Sequence, residues 1–146
     1  MYILGIDPGA NGGATLLSDS GEVIDVLSFT HLTLLEISEA FAEYNADEVT
    51  KPFAYIEKAH SMPNQGVASS FKFGYGYGFL IGVLTALKIP YEMVTPNTWQ
   101  KALSCQSKGD KNVTKAKAQQ LFPNHTWIHS TADSVLIAEY GRRAKK

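Results

Sequence analysis

An apolar strand that runs directly into an aspartate and a glycine-rich reversal constrains this chain more than any other feature. The segment reads Ile3-Leu4-Gly5-Ile6-Asp7-Pro8-Gly9-Ala10-Asn11-Gly12-Gly13-Ala14-Thr15-Leu16-Leu17, so a second apolar strand follows the turn. A carboxylate at the end of a buried strand is costly unless something pairs with it. Two later acids, Glu57 after Phe53-Ala54-Tyr55-Ile56 and Asp133 before Val135-Leu136-Ile137-Ala138, also lie beside apolar segments. One such acid indicates a metal or phosphate site; three indicate a divalent metal.

Read along the chain, the pattern predicts an α/β domain. Residues 2–7, 13–18 and 22–28 are expected to form a three-stranded antiparallel meander, with Ser18-Asp19-Ser20-Gly21 as its second turn. A helix is expected over 32–45, where Leu35, Ile37, Ala40, Phe41 and Tyr44 recur at helical spacing opposite Glu36, Glu39 and Glu43. A strand over 53–57, a long apolar helix over 67–87 and a short strand over 91–94 come next. Further helices are expected from Pro96, over about 111–121, and over 131–143. Within the long helix Gly74, Gly78 and Gly82 fall four apart on one face, which fits either packing on the sheet or a helix in a homodimer interface. Trp99 and Trp127 read as core.

A length of 146 residues and a mass of 16.0 kDa fit one domain with a substantial core. The lone cysteine, Cys105, excludes an internal disulfide and a Cys-based zinc site, in keeping with a reducing cytoplasm. The run Phe79 to Leu87 is too short for a membrane span, and the N-terminus lacks the basic start of a signal peptide. The expectation is a cytoplasmic protein without a membrane partner.

The formal net charge of -1 hides a division along the chain. Residues 1 to 50 carry nine acids and no Lys or Arg, whereas residues 51 to 146 carry thirteen bases and five acids. The densest basic stretch holds Lys101, Lys108, Lys111, Lys115 and Lys117 against Asp110 alone, and Arg142, Arg143, Lys145 and Lys146 follow near the end. Such a division builds either a polyanion-binding face or an ordinary solvated helix face with a frayed tail.

Several motifs together carry a family resemblance. Gly5-Ile6-Asp7-Pro8-Gly9, Met62-Pro63-Asn64-Gln65-Gly66-Val67, Ile56-Glu57-Lys58, Pro90-Tyr91-Glu92-Met93-Val94-Thr95-Pro96-Asn97-Thr98-Trp99 and the run Ala132-Asp133-Ser134 to Arg143 resemble the RuvC-type Holliday junction resolvases, especially their phage and prophage relatives. The match runs in order through nearly the whole chain. It implies a ribonuclease H-like fold, a mixed sheet of about five strands flanked by helices. It also implies an endodeoxyribonuclease that resolves four-way DNA junctions with two Mg2+ ions per active site, Mn2+ being accepted.

In-line hydrolysis of a phosphodiester is served by two divalent ions roughly 3.5–4 Å apart, and Mg2+ prefers hard oxygen ligands. Asp7, Glu57 and Asp133 are therefore the expected ligands. Each also has an ordinary structural alternative: Asp7 as a turn-capping residue, Glu57 as an acid paired with Lys58 or His60, and Asp133 as the third helical residue of a capping box begun by Ser130. The resembled family usually places a carboxylate three or four residues before the helix acid, where this chain has Ser130 and His129. His129 is the favoured fourth ligand, since some members use His there, and imidazole shifts the preference toward manganese.

The resemblance further implies that Lys101, Lys111 or Lys115 lies near the scissile phosphate, with simple backbone contacts as the alternative. DNA contacts are expected from Gln65, Phe71, Lys72, Phe73, Lys108, Lys117, Arg142 and Arg143 as well. Phe71 or Phe73 is the candidate wedge at the junction centre, unless both are helix core. Cutting a symmetric junction implies a homodimer. Other readings are a nuclease for hybrids or flaps, a junction-binding protein with weakened cleavage, and an actin-like ATPase. The last shares the Gly-Ile-Asp-x-Gly turn but needs a second, similar domain, so no nucleotide cofactor is expected.

Overall fold

The computed structural model describes residues 1–58 and 66–145, and its elements follow the expected order. Strands β1 (Tyr2–Asp7), β2 (Gly13–Leu17) and β3 (Val23–Ser28) come first. Helix α1 (Leu34–Tyr44) leads into β4 (Pro52–Glu57), and α2 (Val67–Ala86) leads into β5 (Tyr91–Val94). Helices α3 (Pro96–Ala102), α4 (Lys111–Leu121) and α5 (His129–Ala144) follow. The sheet order is β3-β2-β1-β4-β5. β1, β2 and β3 pair antiparallel, while β4 runs parallel to β1 and β5 parallel to β4. Parallel neighbours need long crossovers, which α1 and α2 provide.

Strand alternation gives the sheet two buried faces. Ile3, Leu17, Tyr55 and Val94 join Trp99, Trp127 and the apolar side of α5 in one core. Leu4, Ile6, Leu16, Ala54 and Ile56 join Ile37 and Phe41 of α1 and Leu80 and Leu84 of α2 in the other. Covered on both faces, β1 reads as continuous apolar sequence instead of alternating. Trp99 and Trp127 are buried, as expected.

Helix α5 lies directly on the two central strands because glycines stand where side chains would block it. A Cβ on Gly5 would overlap the Ser134 carbonyl oxygen and the Ala138 nitrogen. One on Gly13 would stand 2.7 Å from the Ser130 carbonyl oxygen. Two hydroxyl pairs lock the contact: Thr15 with Ser134 at 2.7 Å, fully buried, and Ser28 with Ser130 at 2.9 Å.

One expectation for the helices fails and one open choice is narrowed. Leu35 is 66% exposed, because it lies roughly 200° around α1 from the buried Ile37. In α2, Cβ atoms at Gly74, Gly78 and Gly82 would meet nothing within 4 Å, so this glycine face does not pack on the sheet. The same helix leaves Val67, Phe71 and Tyr75 exposed. Among the described residues no helix is long and apolar enough to cross a membrane.

The two kinds of glycine predict opposite substitution effects. Gly5→Ala is expected to destabilise by about 2–3 kcal/mol, since a rigid backbone must shift. Gly74→Ala, in an open helix interior, should stabilise by roughly 0.5–1 kcal/mol. Urea unfolding of both variants checks this; a Gly5→Ala midpoint equal to the parent's overturns the packing account.

Candidate active site

Two strand ends and one helix bring the three expected acids together. β1 and β4 are parallel with Ile6 opposite Ile56, so Asp7 and Glu57, one residue further on, emerge side by side at the same edge. Both share the parity of Ile3, Gly5 and Tyr55, which face α5. Asp133 comes from the second turn of α5, directly before the Ser134 that sits over Gly5.

Their electrostatics show that they form one site. Burial first and the neighbouring Asp133 second push the Asp7 carboxyl up to about 6, against the pull of the Gly9 N–H and of Lys111. Burial, then Asp7 and Asp133, together push Glu57 up to about 7, while the Trp99 indole N–H pulls it down. Asp133 is raised by burial and held down by the nearby Thr114 hydroxyl, by Lys111 and by His129. Each acid is therefore destabilised as an anion, and a cation among them would relieve all three.

The alternatives read from the sequence fare unequally. Asp7 does accept a bond from the Gly9 N–H, but at 3.4 Å it is long and leaves the carboxylate available. Glu57 is not paired with Lys58; its Oε2 accepts a 2.8 Å bond from Trp99 Nε1, and His60 lies outside the described residues. The capping box at Ser130 is absent, because α5 begins two residues earlier than expected, at His129, with Ile128 as its N-cap. Asp133 is thus the fifth helical residue and caps nothing. Ser130 is buried against Ser28, whereas His129 is exposed and near enough for its charge to act on Asp133.

The donor chemistry fits a hard divalent cation: oxygen ligands with unbalanced negative charge in a partly dry setting. The spacing is looser than a coordination sphere. Among the described residues no three His, Cys, Asp or Glu side chains converge at ligand distance on one point. Asp7, Glu57 and Asp133 share a field without sharing a ligand point.

Of the basic residues, Lys111 stands apart. At the first position of α4 it is exposed, and its charge acts on both Asp7 and Asp133. Thr114, one turn later, donates its hydroxyl to the Lys111 carbonyl at 3.3 Å and acts on Asp133 from there. Lys101 and Lys108 are exposed, Lys115 is half-buried, and Lys117 acts on the buried Cys105 thiol. Arg142 and Arg143 are not a free basic tail. Both hold the buried Glu139, Arg142 through two 2.7 Å bonds and Arg143 through one of 2.9 Å, and Arg142 also reaches the Asp19 carbonyl. Lys145 lies over the Phe53 ring.

Phe71 and Phe73 are not part of the core, whereas Tyr77 and Phe79 of the same helix pack against it. Phe71 is exposed and stacks on Tyr75, and the half-buried Phe73 stacks on Tyr77. Phe73 and Lys72 line, with Pro8 and Gly9, a cavity of about 370 Å³ beside the turn that follows Asp7. Gln65 lies outside the described residues.

The sequence reading passed over two members of the site. Trp99 was expected only as core, and no local pattern marks a donor 42 residues from its acceptor. Thr114 had a usable signal, since it sits three residues after Lys111 on the same side of one helix.

The architecture is similar to that of T. thermophilus RuvC in complex with Holliday junction substrate, with a TM-score of 0.73 and 15% sequence identity over 99% of this chain and 95% of that one. Against a second Thermus thermophilus RuvC structure the TM-score is 0.70 at 16% identity, covering 99% and 96%. No family model and no curated protein matches the sequence. The likeness establishes the fold, the ribonuclease H-like α/β arrangement expected from the motifs.

The raised acids set a pH dependence of stability. Asp7 and Glu57 bind protons more tightly folded than unfolded, so stability falls as pH rises between about 4 and 7 and stays low above that range. In the absence of divalent cations Asp7→Asn should therefore stabilise the fold at pH 8, by on the order of 1–2 kcal/mol after allowance for partial exposure. At pH 4 the gain should vanish. Thermal melts at both pH values test this, and equal gains at both contradict it.

Proposed function

We propose that this chain is a metal-dependent endodeoxyribonuclease that cuts four-way DNA junctions as a homodimer. The observation that supports this most is the meeting of Asp7, Glu57 and Asp133 at one edge of a RuvC-like fold, all three raised by burial and Asp7 and Glu57 raised by neighbouring carboxylates as well. These three acids, with His129 beside Asp133, are the residues to hold Mg2+ or Mn2+. Bound there, a pair of such ions supplies an activated water and stabilises the leaving oxygen of the cleaved phosphodiester.

The chain's own residues do the rest. Lys111 offsets part of the acids' charge in the resting site and faces the phosphoryl oxygens once DNA is bound. Thr114 and Trp99 hold Asp133 and Glu57 without adding positive charge. Lys72, Lys101, Lys108 and Lys115 supply phosphate contacts around the site, and Phe71 and Phe73 offer faces for unpaired bases at the junction centre. The uncovered side of α2 is the proposed contact between copies, placing two sites about a twofold axis.

A second reading, a protein that binds junctions with weakened cleavage, draws on the absence of a converged ligand group among the described residues. Cleavage assays on synthetic junctions, linear duplex and RNA–DNA hybrid in Mg2+ and in Mn2+ separate the two. Junction cutting by the parent, lost by at least 100-fold in Asp7→Asn with binding retained or tightened, supports the nuclease. Full Mg2+-dependent activity in Asp7→Asn overturns it.

DNA binding should weaken steeply with salt despite the sequence pI of 6.4, because several lysines release phosphate counterions. Lys111→Ala is expected to lower the slope of log affinity against log salt by about 1, and to reduce cleavage at saturating DNA. An unchanged slope and rate would make Lys111 an ordinary surface lysine.

A further inference from the structure

We infer that Trp99 is a positioning residue for the metal site: its indole N–H fixes the Glu57 carboxylate by one oxygen and leaves the other for a divalent cation. The inference rests on the metal-site reading above and deepens it.

Trp99 is completely buried, in the core formed by α5 and the adjoining face of the sheet. Its ring is held on several sides, so its Nε1 has a fixed direction. That nitrogen donates to Glu57 Oε2 at 2.8 Å, a normal distance for such a bond. An indole N–H is a donor only and carries no charge. A lysine or arginine in its place would neutralise Glu57 and compete with a cation. The indole instead orients the carboxylate while its negative charge remains. The bond uses Oε2, and among the described residues no hydrogen bond engages Oε1.

Local sequence places this donor securely. Thr95 caps α3, its hydroxyl accepting from the Thr98 N–H, and Pro96 takes the first helical position, where its missing N–H is harmless. Trp99 is one turn on, at the end of the segment that follows β5. β5 pairs with β4 up to Glu57 opposite Val94, and Lys58 N–H bonds the Val94 carbonyl at 2.7 Å. The strand that carries the acid and the helix that carries its donor are therefore bound in register. The other tryptophan makes a contrast: Trp127 Nε1 donates to the Phe122 carbonyl at 3.0 Å and plays no part in the acid cluster.

The test uses the full chain and Mg2+ or Mn2+ alone, without DNA. Two tryptophans give two indole N–H resonances, assignable with Trp127→Phe. Titration with Mg2+ should move the Trp99 resonance and leave that of Trp127 in place, and Glu57→Gln should abolish the movement. In Trp99→Phe, which keeps most of the ring volume, Mn2+ affinity by calorimetry should fall by roughly 10-fold, with the circular dichroism spectrum retained. If Trp99→Phe proves unfolded, the resonance of the parent chain decides alone. A Trp99 resonance indifferent to Mg2+ in a parent chain that binds it overturns the inference, and so does undiminished Mn2+ affinity in folded Trp99→Phe. Asp7→Asn separates the two levels: loss of Mn2+ binding there, together with undiminished Mn2+ affinity in folded Trp99→Phe, rejects the positioning role only. A parent chain that binds neither ion rejects both.

Discussion

The seating of α5 on β1 is the contact on which the rest depends. The helix reaches the strand closely only because Gly5 and Gly13 present no side chains, and the buried Thr15–Ser134 pair then holds it against sliding. A methyl group at Gly5 would push on backbone atoms of α5, which cannot move aside as a side chain would. The same contact carries function. Asp133 precedes Ser134 in sequence, so whatever places Ser134 on the central strand also places Asp133 beside Asp7.

Around that seat the protein gathers like charges instead of dispersing them. Burial raises the proton affinity of all three acids, Asp133 adds to that of Asp7 and Glu57, Asp7 adds to that of Glu57, and the fold tolerates this with neutral groups: the Gly9 amide, the Trp99 indole and the Thr114 hydroxyl. Lys111 is the positive charge that acts on two of the acids, from the solvent side. A buried acid elsewhere in the same helix is treated differently. Glu139 is closed off by both Arg142 and Arg143, and burial with full pairing marks it as structural. The contrast between a neutralised acid and three under-neutralised ones is the physical distinction between holding the fold and holding a cation.

Much of this was legible from local pattern. The β1–turn–β2 segment, the acid after Phe53 to Ile56 and the helical run after Asp133 each announce themselves within a few residues, because strand and helix periodicities are short-range properties. Capping was misleading at Ser130. There Ser28 claims the hydroxyl, and α5 starts at His129. For the tail, charge alone left a DNA-binding end and a frayed one both open, while the spacing of Glu139, Arg142 and Arg143 fits the helix pairing network that forms. The glycines of α2 were ambiguous in sequence, since an empty helix face looks the same whether or not something covers it.

The sequence by itself determined the alternation of elements and the three acids at their ends, since both follow from residue type and near-neighbour spacing. Only the tertiary structure decided which lysine meets the acids, that the arginines turn back onto Glu139, and that Trp99 bonds Glu57. Those choices depend on the β1–β4–β5 register and on the depth at which α5 sits. Both are set by contacts between residues far apart in the chain, where no local periodicity reaches.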